Sequence, residues 1–334
     1  MDADAENVES LLILECIDTH TGGEPTRVVL SGIPSLQGVT SREQREDLKS
    51  RVDWLRQLVV AEPRGHADMF GAIVLDEHKA DTDLGLIFID NDGYLDMCGH
   101  GLIGAVTALA ESDRLPHRDR LLVDTPAGTT ECQLKRTGRH SAEVTFVNVP
   151  AFVCGLDCTL DVGGRSIEVD VSYGGNFFVL VQAEHLDLRL DTVPLSEIRE
   201  LGMDVLRAAQ RNISVQHSKF GPSTIQLVEF WESLGARSGR NIVVFGKGQI
   251  DRSPCGTGTC ARLAVLHARG QIGVGDEYEQ IGPVGSSLIA RISGEVKIGE
   301  FRGVIPEITG EAHVTGYNRL IASRRDPFAL GLHI

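Results

Sequence analysis

Short apolar segments separated by turn-forming residues make up most of the chain. They are rich in Val, Ile, Leu, Phe and Thr and are bounded by Gly, Asn, Asp and Pro, a pattern typical of β-strands. All are far shorter than the ~18 apolar residues that a membrane-spanning helix needs. The predicted strands cover residues 11–17, 26–30, 72–75, 84–90, 121–125, 130–135, 142–149, 169–172, 176–181, 225–230, 241–245, 288–292, 295–298, 312–315 and 319–322.

Four segments have helical periodicity instead. The first begins near Ser41, where Gln44 completes a capping box. The apolar positions that recur at helical spacing behind it are Leu48, Val52, Leu55 and Val59. A second helix is predicted over 196–211, and two more follow Cys98 and Cys255.

One motif occurs twice, each time at the start of a predicted helix. Residues 98–101 are Cys-Gly-His-Gly and residues 255–258 are Cys-Gly-Thr-Gly, each followed by a run rich in small residues. The first of these helices is predicted to end near Arg114 and the second near Gly270. Strands lie on both sides of each copy, which indicates a weakly preserved duplication.

The chain is predicted to have an α+β fold made of two similar domains. Its 334 residues favour about two domains, and few helices among many short strands favour barrel-like sheets, each wrapped around one central helix. The predicted first domain covers 1–127 together with a returning tail, 308–334. The predicted second domain covers 128–307, and the chain is expected to cross between them at Pro126-Ala127-Gly128.

Composition and charge restrict the partners. A net charge of −15 argues against nucleic acid and against an anionic membrane surface. The first six residues are acidic where a secretory signal would be basic, which predicts a cytoplasmic protein. Seven cysteines, an odd number in a chain of this length, favour free thiols over a disulfide framework. The sequence leaves open whether the chain forms a homodimer.

The repeated motif suits the binding of an anion. A helix N-terminus has unpaired N–H groups and a partial positive charge, and the glycines allow a ligand close to them. A cysteine placed there is expected to have a stabilised thiolate and a lowered pKa. Burial as a small apolar residue is the plainer interpretation of Cys98 or of Cys255 alone. Their matched placement favours two thiols that face one anionic substrate.

Polar residues beside the two cysteines have two interpretations each. His100 can reach a ligand at the helix end, or it can be a capping or structural histidine. Asp251 can form a turn or pair with a substrate ammonium group, and the second is favoured here. Cys260 is expected to pack in the interior rather than to form a redox pair with Cys255.

Other polar clusters are predicted to be structural. Cys154 and Cys158 lie in a predicted loop, and no partner Cys or His pair has zinc-site spacing. The stretch 62–66, Glu-Pro-Arg-Gly-His, is expected to form an Arg–Glu structural pair. The chain has no Gly-x-Ser-x-Gly motif, the turn that presents a nucleophilic serine in hydrolases. It also has no dinucleotide-binding or phosphate-binding glycine motif.

Two thiols on opposite faces of one carbon form an acid–base pair that inverts its configuration. One thiolate removes the α-proton and the other thiol supplies a proton from the far side, so their protonation states are coupled. Helix N–H groups that converge on the substrate carboxylate would stabilise the charge that develops there. This scheme needs neither pyridoxal phosphate nor a metal, and no cofactor is predicted.

Several motifs resemble those of the proline racemase family over nearly the whole chain. The two long ones are 97–101, Met-Cys-Gly-His-Gly, and 251–259, Asp-Arg-Ser-Pro-Cys-Gly-Thr-Gly-Thr. Further matching stretches are 18–25, 62–71, 173–178 and 326–328. The resemblance implies a fold like that of diaminopimelate epimerase, with the site in a cleft between two similar domains.

The resemblance also implies roles for individual residues. Cys98 and Cys255 would be the two catalytic bases of a cofactor-independent racemisation. Phe70 and Phe245 correspond to aromatic residues that pack on the pyrrolidine ring, although ordinary core packing is the alternative. The residues that would hold the substrate carboxylate or nitrogen are Gly99, His100, Gly101, Gly256, Thr257 and Asp251.

The substrate expected from the resemblance is proline. An apolar wall that leaves a 4-hydroxyl group unpaired penalises hydroxyproline by ~1–3 kcal/mol. In the other direction, Gly101 replaces an asparagine of some proline racemases and is common among the epimerases. Relatives that dehydrate 3-hydroxyproline have threonine in place of Cys255, so dehydration is disfavoured. The alternatives are 4-hydroxyproline or 3-hydroxyproline 2-epimerase, a thiol redox protein, and a non-catalytic amino-acid-binding relative.

Overall fold

The computed structural model describes residues 12–116, 118–323 and 325–332, and these fall into two compact units. The first unit contains the described residues up to Val144 and those from Glu311 onward, and the second is Thr145–Gly310. Two strands continue from one unit into the other along the chain. The stretch Pro126-Ala127-Gly128, where a domain crossing was expected, lies at the turn of a hairpin in the first unit.

Eleven elements precede residue 150 among the described residues. They are β1 (Leu12–Thr21), β2 (Glu24–Ser31), α1 (Ser41–Arg51), α2 (Trp54–Val60), β3 (Gly71–Val74), β4 (Leu84–Ile89), β5 (Tyr94–Leu95), α3 (Gly99–Glu111), β6 (Arg120–Thr125), β7 (Gly128–Gly138) and β8 (Ser141–Val147).

The remaining described elements follow from residue 151. They are β9 (Ala151–Val162), β10 (Arg165–Tyr173), β11 (Phe177–Gln182), a 3₁₀ helix (Ala183–Leu186), α4 (Leu195–Asn212), β12 (Val215–His217), β13 (Gly221–Ser223), β14 (Leu227–Gly235), β15 (Ser238–Phe245), β16 (Gln249–Asp251), α5 (Gly256–Ala268), β17 (Glu277–Ile281), β18 (Ser287–Ile298) and β19 (Phe301–Ala322).

The sheet of the first unit is built around the hairpin of β1 and β2. Gly22 and Gly23 both have positive φ, which is what a two-residue turn matching the strand twist requires. β1 also pairs with the second half of β19, while β2, β3, β4, β6 and β7 follow in sheet order. Helix α3 packs against β1, β2 and β3.

The sheet of the second unit closes on itself. Its strands pair in the order β9, β10, β11, β14, β15, β17, β18 and β19, and residues 303–304 of β19 return to pair with residues 151–152 of β9. Helix α5 packs against β9, β10, β11 and β18. The prediction of an α+β fold with barrel-like sheets is therefore confirmed.

The two cysteine-led helices are buried on all sides. Every residue from Gly99 to Ala110 in α3 and from Gly256 to Leu266 in α5 is buried. A helix in this position has no polar face, and its small residues allow strands to approach closely. The sequence analysis predicted these central helices and their bounds to within a few residues.

The first predicted helix is two helices. α1 ends at Arg51, Val52 leaves the helical conformation, and α2 begins after Asp53, whose carboxylate accepts bonds from Arg56 and Tyr94. The predicted cap was also wrong, because Thr40 and Glu43 form the capping box. Ser41 is instead buried, and its backbone N–H donates to Asp124. The predicted apolar positions of both helices still enter one core cluster.

Several strands differ from their predictions. The predicted loop around Cys154 and Cys158 belongs to β9, whose pairing with β10 contains register shifts that obscure strand periodicity. β18 is one strand where two were predicted, because a bulge near Ser293 interrupts its pattern. The tail is likewise the single strand β19. The predicted strand over 11–17 begins at a residue outside the described ranges.

Candidate active site

Cys98 caps the buried helix α3. Its backbone is extended, and its sulfur accepts a hydrogen bond from the Gly101 N–H at 3.3 Å, in the manner of a side-chain N-cap. The thiol is buried, with 4% of its surface exposed. The first Cys-Gly-x-Gly turn therefore aims one sulfur at the N-terminus of its own helix.

His100 lies directly against this sulfur. Its Nδ1 is 3.3 Å and its Nε2 3.6 Å from Cys98 Sγ, and its backbone carbonyl accepts a bond from Thr21 Oγ1. The imidazole packs edge-on against Phe70 with the ring centroids 4.5 Å apart. A protonated imidazole at this distance stabilises a thiolate. The first unit thus brings together Cys98, His100 and Phe70, three of the residues singled out in the sequence.

Cys255 caps helix α5 with a different backbone. Its φ is +54°, a left-handed conformation that costs a non-glycine residue on the order of 1 kcal/mol. Its N–H donates to Ser253 Oγ, and the Ser253 N–H donates to Asp251 Oδ1 at 2.8 Å. This chain of bonds holds the strained turn. Asp251 therefore stabilises a turn, which is one of the two interpretations that its sequence position allowed.

The first turn of α5 supplies the other predicted contacts of the second unit. Thr257 Oγ1 lies 3.8 Å from Cys255 Sγ and accepts a bond from Asn176 Nδ2. Gly174 approaches so closely that an added Cβ would be 2.1 Å from the Thr257 carbonyl oxygen. The turn at 174–176 thus packs on the N-terminus of α5, which explains why glycine is needed there.

Burial raises the pKa of the Cys255 thiol well above its ordinary value. The charges of Asp251 and Glu229 act in the same direction, while hydrogen bonds from Gly258 and Thr257 act against them. A helix N-terminus had predicted a lowered pKa for both cysteines. For Cys255 that expectation was wrong, because burial and two neighbouring carboxylates outweigh the helix terminus.

Sequence reasoning missed Glu229, which lies beside Cys255. Glu229 is fully buried on β14, and its Oε1 accepts a bond from Asn241 Nδ2. Asn241 Nδ2 also donates to the carbonyl of Pro254, the residue before Cys255. Burial raises the pKa of Glu229 to about 7. The available signal was an acidic residue inside the apolar run 227–230.

Phe245 belongs to a core cluster that includes Cys255. Its members are Phe178, Leu180, Leu227, Val243, Phe245, Cys255, Ala261 and Val265. Phe70 and Phe245 are both buried, at 0% and 3% exposure. Each unit therefore has one phenylalanine near its cysteine, while core packing also accounts for both rings.

The remaining candidates are structural. Cys260 is fully buried one turn into α5, where burial raises its pKa. Arg64 forms an ion pair, as predicted for the 62–66 cluster, but its partner is Asp326 and not Glu62. Asp326 lies in the matching stretch 326–328, so this contact connects two of the motifs. None of the seven cysteines, all of which lie in the described ranges, forms a disulfide.

Two kinds of feature do not occur within residues 12–116, 118–323 and 325–332. No group of three or more His, Cys, Asp or Glu residues there could hold a metal ion. No helix in these ranges has both the length and the apolar character required to cross a membrane.

Comparisons with known proteins agree on one family. Residues 16–333 match the family model described as proline racemase. The chain is 38% identical to the proline racemase of Clostridioides difficile over 325 residues, which covers 95% of this chain and 97% of that protein. It is also 38% identical to the 4-hydroxyproline 2-epimerase of Shewanella loihica, covering 96% and 98%.

A solved structure shows the same fold. It is the crystal structure of a hydroxyproline epimerase from Agrobacterium vitis with bound trans-4-hydroxy-L-proline, which matches with a TM-score of 0.91 at 28% identity. The match covers 97% of this chain and 95% of that chain.

Proposed function

The chain belongs to the proline racemase family, and from this premise we propose that it inverts Cα of proline with Cys98 and Cys255 as its two bases. Its class is that of the isomerases, the amino-acid racemases and epimerases. The observation that carries the proposal is the matched placement of the two sulfurs. Each begins a helix that is buried except at its C-terminal end, at a Cys-Gly-x-Gly turn, one in each compact unit.

In the proposed mechanism the two sulfurs act in opposite protonation states. The thiolate of one takes the α-proton, the Cα–H electron pair becomes the carbanion, and the thiol of the other gives its proton to the opposite face. In the reverse direction the roles exchange. His100 supports the thiolate of Cys98 through the contact at 3.3 Å.

The substrate carboxylate is proposed to bind at the helix starts. The N–H groups near Gly99, Gly101, Gly256 and Thr257 are of the kind that stabilise the charge developing on a carboxylate in the transition state. Asp251 is proposed to hold the substrate nitrogen, since it is buried and lies four residues before Cys255. No pyridoxal phosphate or metal takes part in this scheme.

The test is replacement of each cysteine by serine. Cys98→Ser and Cys255→Ser are each expected to lower the racemisation rate at least ~10³-fold, because a serine hydroxyl is a far weaker base than a thiolate at neutral pH. Loss of the α-proton and change of optical rotation are followed in deuterated water. Cys260→Ala is the matched control and should retain activity; its inactivation would favour a thiol redox function.

Full activity in either serine variant would contradict the two-base mechanism. Binding of proline without incorporation of deuterium by the wild-type protein would instead indicate a non-catalytic relative.

4-Hydroxyproline 2-epimerisation is the second candidate. The Shewanella loihica relative bears that name, and the Agrobacterium vitis structure contains trans-4-hydroxy-L-proline. Proline is preferred here because Phe70 and Phe245 are apolar and buried, which offers a 4-hydroxyl group no partner. A 3-hydroxyproline substrate is a further alternative of the same class.

We expect kcat/KM for L-proline to exceed that for trans-4-hydroxy-L-proline by roughly 5- to 160-fold, the range that corresponds to ~1–3 kcal/mol for an unpaired hydroxyl group. Polarimetry with both substrates under the same conditions measures the ratio. Faster turnover of the hydroxylated substrate would make the chain a hydroxyproline epimerase.

A further inference from the structure

The glycines that close the two Cys-Gly-x-Gly turns have different neighbours. A Cβ added to Gly101 would be 3.0 Å from Phe70 and 3.1 Å from Cys98 Sγ, with Phe88 at 3.2 Å. The same atom added to Gly258 would be 2.6 Å from Glu229 Oε2 and 3.2 Å from Cys255 Sγ. In the second turn a carboxylate oxygen thus occupies the place that aromatic carbons occupy in the first.

The position of this carboxylate is tightly determined. Glu229 has no exposed surface, and Asn241 anchors its Oε1 at 3.1 Å. Its Oε2 is buried without a hydrogen-bond partner among the described residues and adjoins the N-terminal turn of α5. This oxygen and the sulfur of Cys255 both border the space that a side chain at position 258 would occupy.

We propose that Glu229 is a positioning residue that keeps Cys255 in its thiol form until the reaction requires the thiolate. A negative charge beside a sulfur disfavours a second negative charge on it. Cys98 instead has the His100 imidazole 3.3 Å from its sulfur, and a protonated imidazole has the opposite effect. This inference rests on the proposed two-base mechanism and assigns the two sulfurs different resting states.

Other charged and titratable groups act on Glu229 or Cys255 from the surrounding elements. They are Asp251 on β16, Cys260 and Arg262 on α5, and Tyr278 on β17. Arg262 is the one permanent cation of this set, and its guanidinium stacks on the Trp231 ring 3.3 Å from the centroid. Asp251 raises the pKa of the Cys255 thiol more than Glu229 does, so removal of Glu229 is expected to weaken the combined effect of the two carboxylates and not to abolish it.

The test is the titration of Cys255 by NMR in protein labelled with ¹³C at the cysteine Cβ, with the resonance assigned from Cys255→Ser. Glu229→Gln removes the charge with little change of shape, and the titration midpoint of Cys255 should fall by about one pH unit. Glu229→Asp keeps the carboxylate and should retain most of the wild-type midpoint. Glu232→Gln is the matched control, since Glu232 lies on the same strand but pairs with Arg240.

A second readout uses the wild-type protein alone. Burial raises the pKa of Glu229 to about 7, so the Cys255 Cβ resonance should shift as that carboxyl ionises, well below the pH at which the thiol itself titrates. An unshifted resonance there would overturn the proposal, as would equal Cys255 midpoints in the wild type and Glu229→Gln.

Kinetics separate positioning from a merely structural role. In Glu229→Gln the direction that uses Cys255 as base should reach full rate at lower pH, and the direction that uses it as acid should lose rate at lower pH. A structural defect would lower both rates without moving either pH profile and would contradict the proposal. Failure of the two-base mechanism itself would appear as full activity of Cys255→Ser, whereas the NMR titration does not depend on turnover.

Discussion

At the scale of single residues, contacts and not backbone angles require glycine at the end of each Cys-Gly-x-Gly turn. Neither Gly101 nor Gly258 has a positive φ. A Cβ at either position would instead press on the adjacent sulfur and on the group behind it. An asparagine at position 101 would therefore need Phe70 or Phe88 to move in this chain.

Glu229 should make folding stability depend on pH. Its pKa is about 7 in the folded protein against an ordinary value of 4.5, so the folded state holds the proton more tightly. This contribution is fully present below pH ~4.5 and is lost as the pH rises through ~7, a decrease of about 3 kcal/mol. Urea unfolding across this range should show the decrease in the wild type and a smaller one in Glu229→Gln.

The comparison needs a variant that changes a carboxylate elsewhere on the same strand. Glu232→Gln serves this purpose and should keep the wild-type pH dependence. Parallel stability curves for the wild type and Glu229→Gln would show that Glu229 ionises near its ordinary pKa.

At the scale of elements, the residues at the helix N-termini have different roles. α3 and α5 start with cysteines that belong to the candidate site, whereas α1 starts with a capping box that has no such role. In α1 the Thr40 hydroxyl accepts the Glu43 N–H, and the Glu43 carboxylate accepts the N–H groups of Val39 and Thr40. A side-chain N-cap is thus used for stability in α1 and at the candidate site in α3, whereas Cys255 makes no such bond at the start of α5.

Thr40→Ala should lower the free energy of unfolding by about 1 kcal/mol, the usual value of a side-chain N-cap. Thermal or urea unfolding measures the change. Thr40→Ser retains the hydroxyl and should be close to the wild type. An equal loss in both variants would mean that the methyl group of Thr40, and not its hydroxyl, stabilises the helix.

Strands were predicted better than their connections. The runs that became β2, β4 and β11 were predicted with nearly their observed bounds, because apolar β-branched segments between turn residues have a strong local preference. β9 was missed because its bulged pairing breaks the alternation of buried and exposed side chains. A bulge is a property of two strands together and leaves little trace in one of them.

At the scale of the whole molecule, two compact units each have a sheet packed on one buried, cysteine-led helix. The repeated motif predicted this duplication. It did not predict that residues 303–304 return to β9 and close the second sheet, because that pairing joins positions about 150 residues apart in the chain.

The sequence by itself determined the two Cys-Gly-x-Gly helices, most strands and the family, since all of these depend on short motifs and local periodicity. Only the tertiary structure decided that Glu229 and Asn241 lie behind Cys255, that Asp326 pairs with Arg64, and that burial raises the pKa of the Cys255 thiol. The physical reason is that desolvation and pairing depend on which distant segments pack together, and no local pattern records the neighbours of a buried charge.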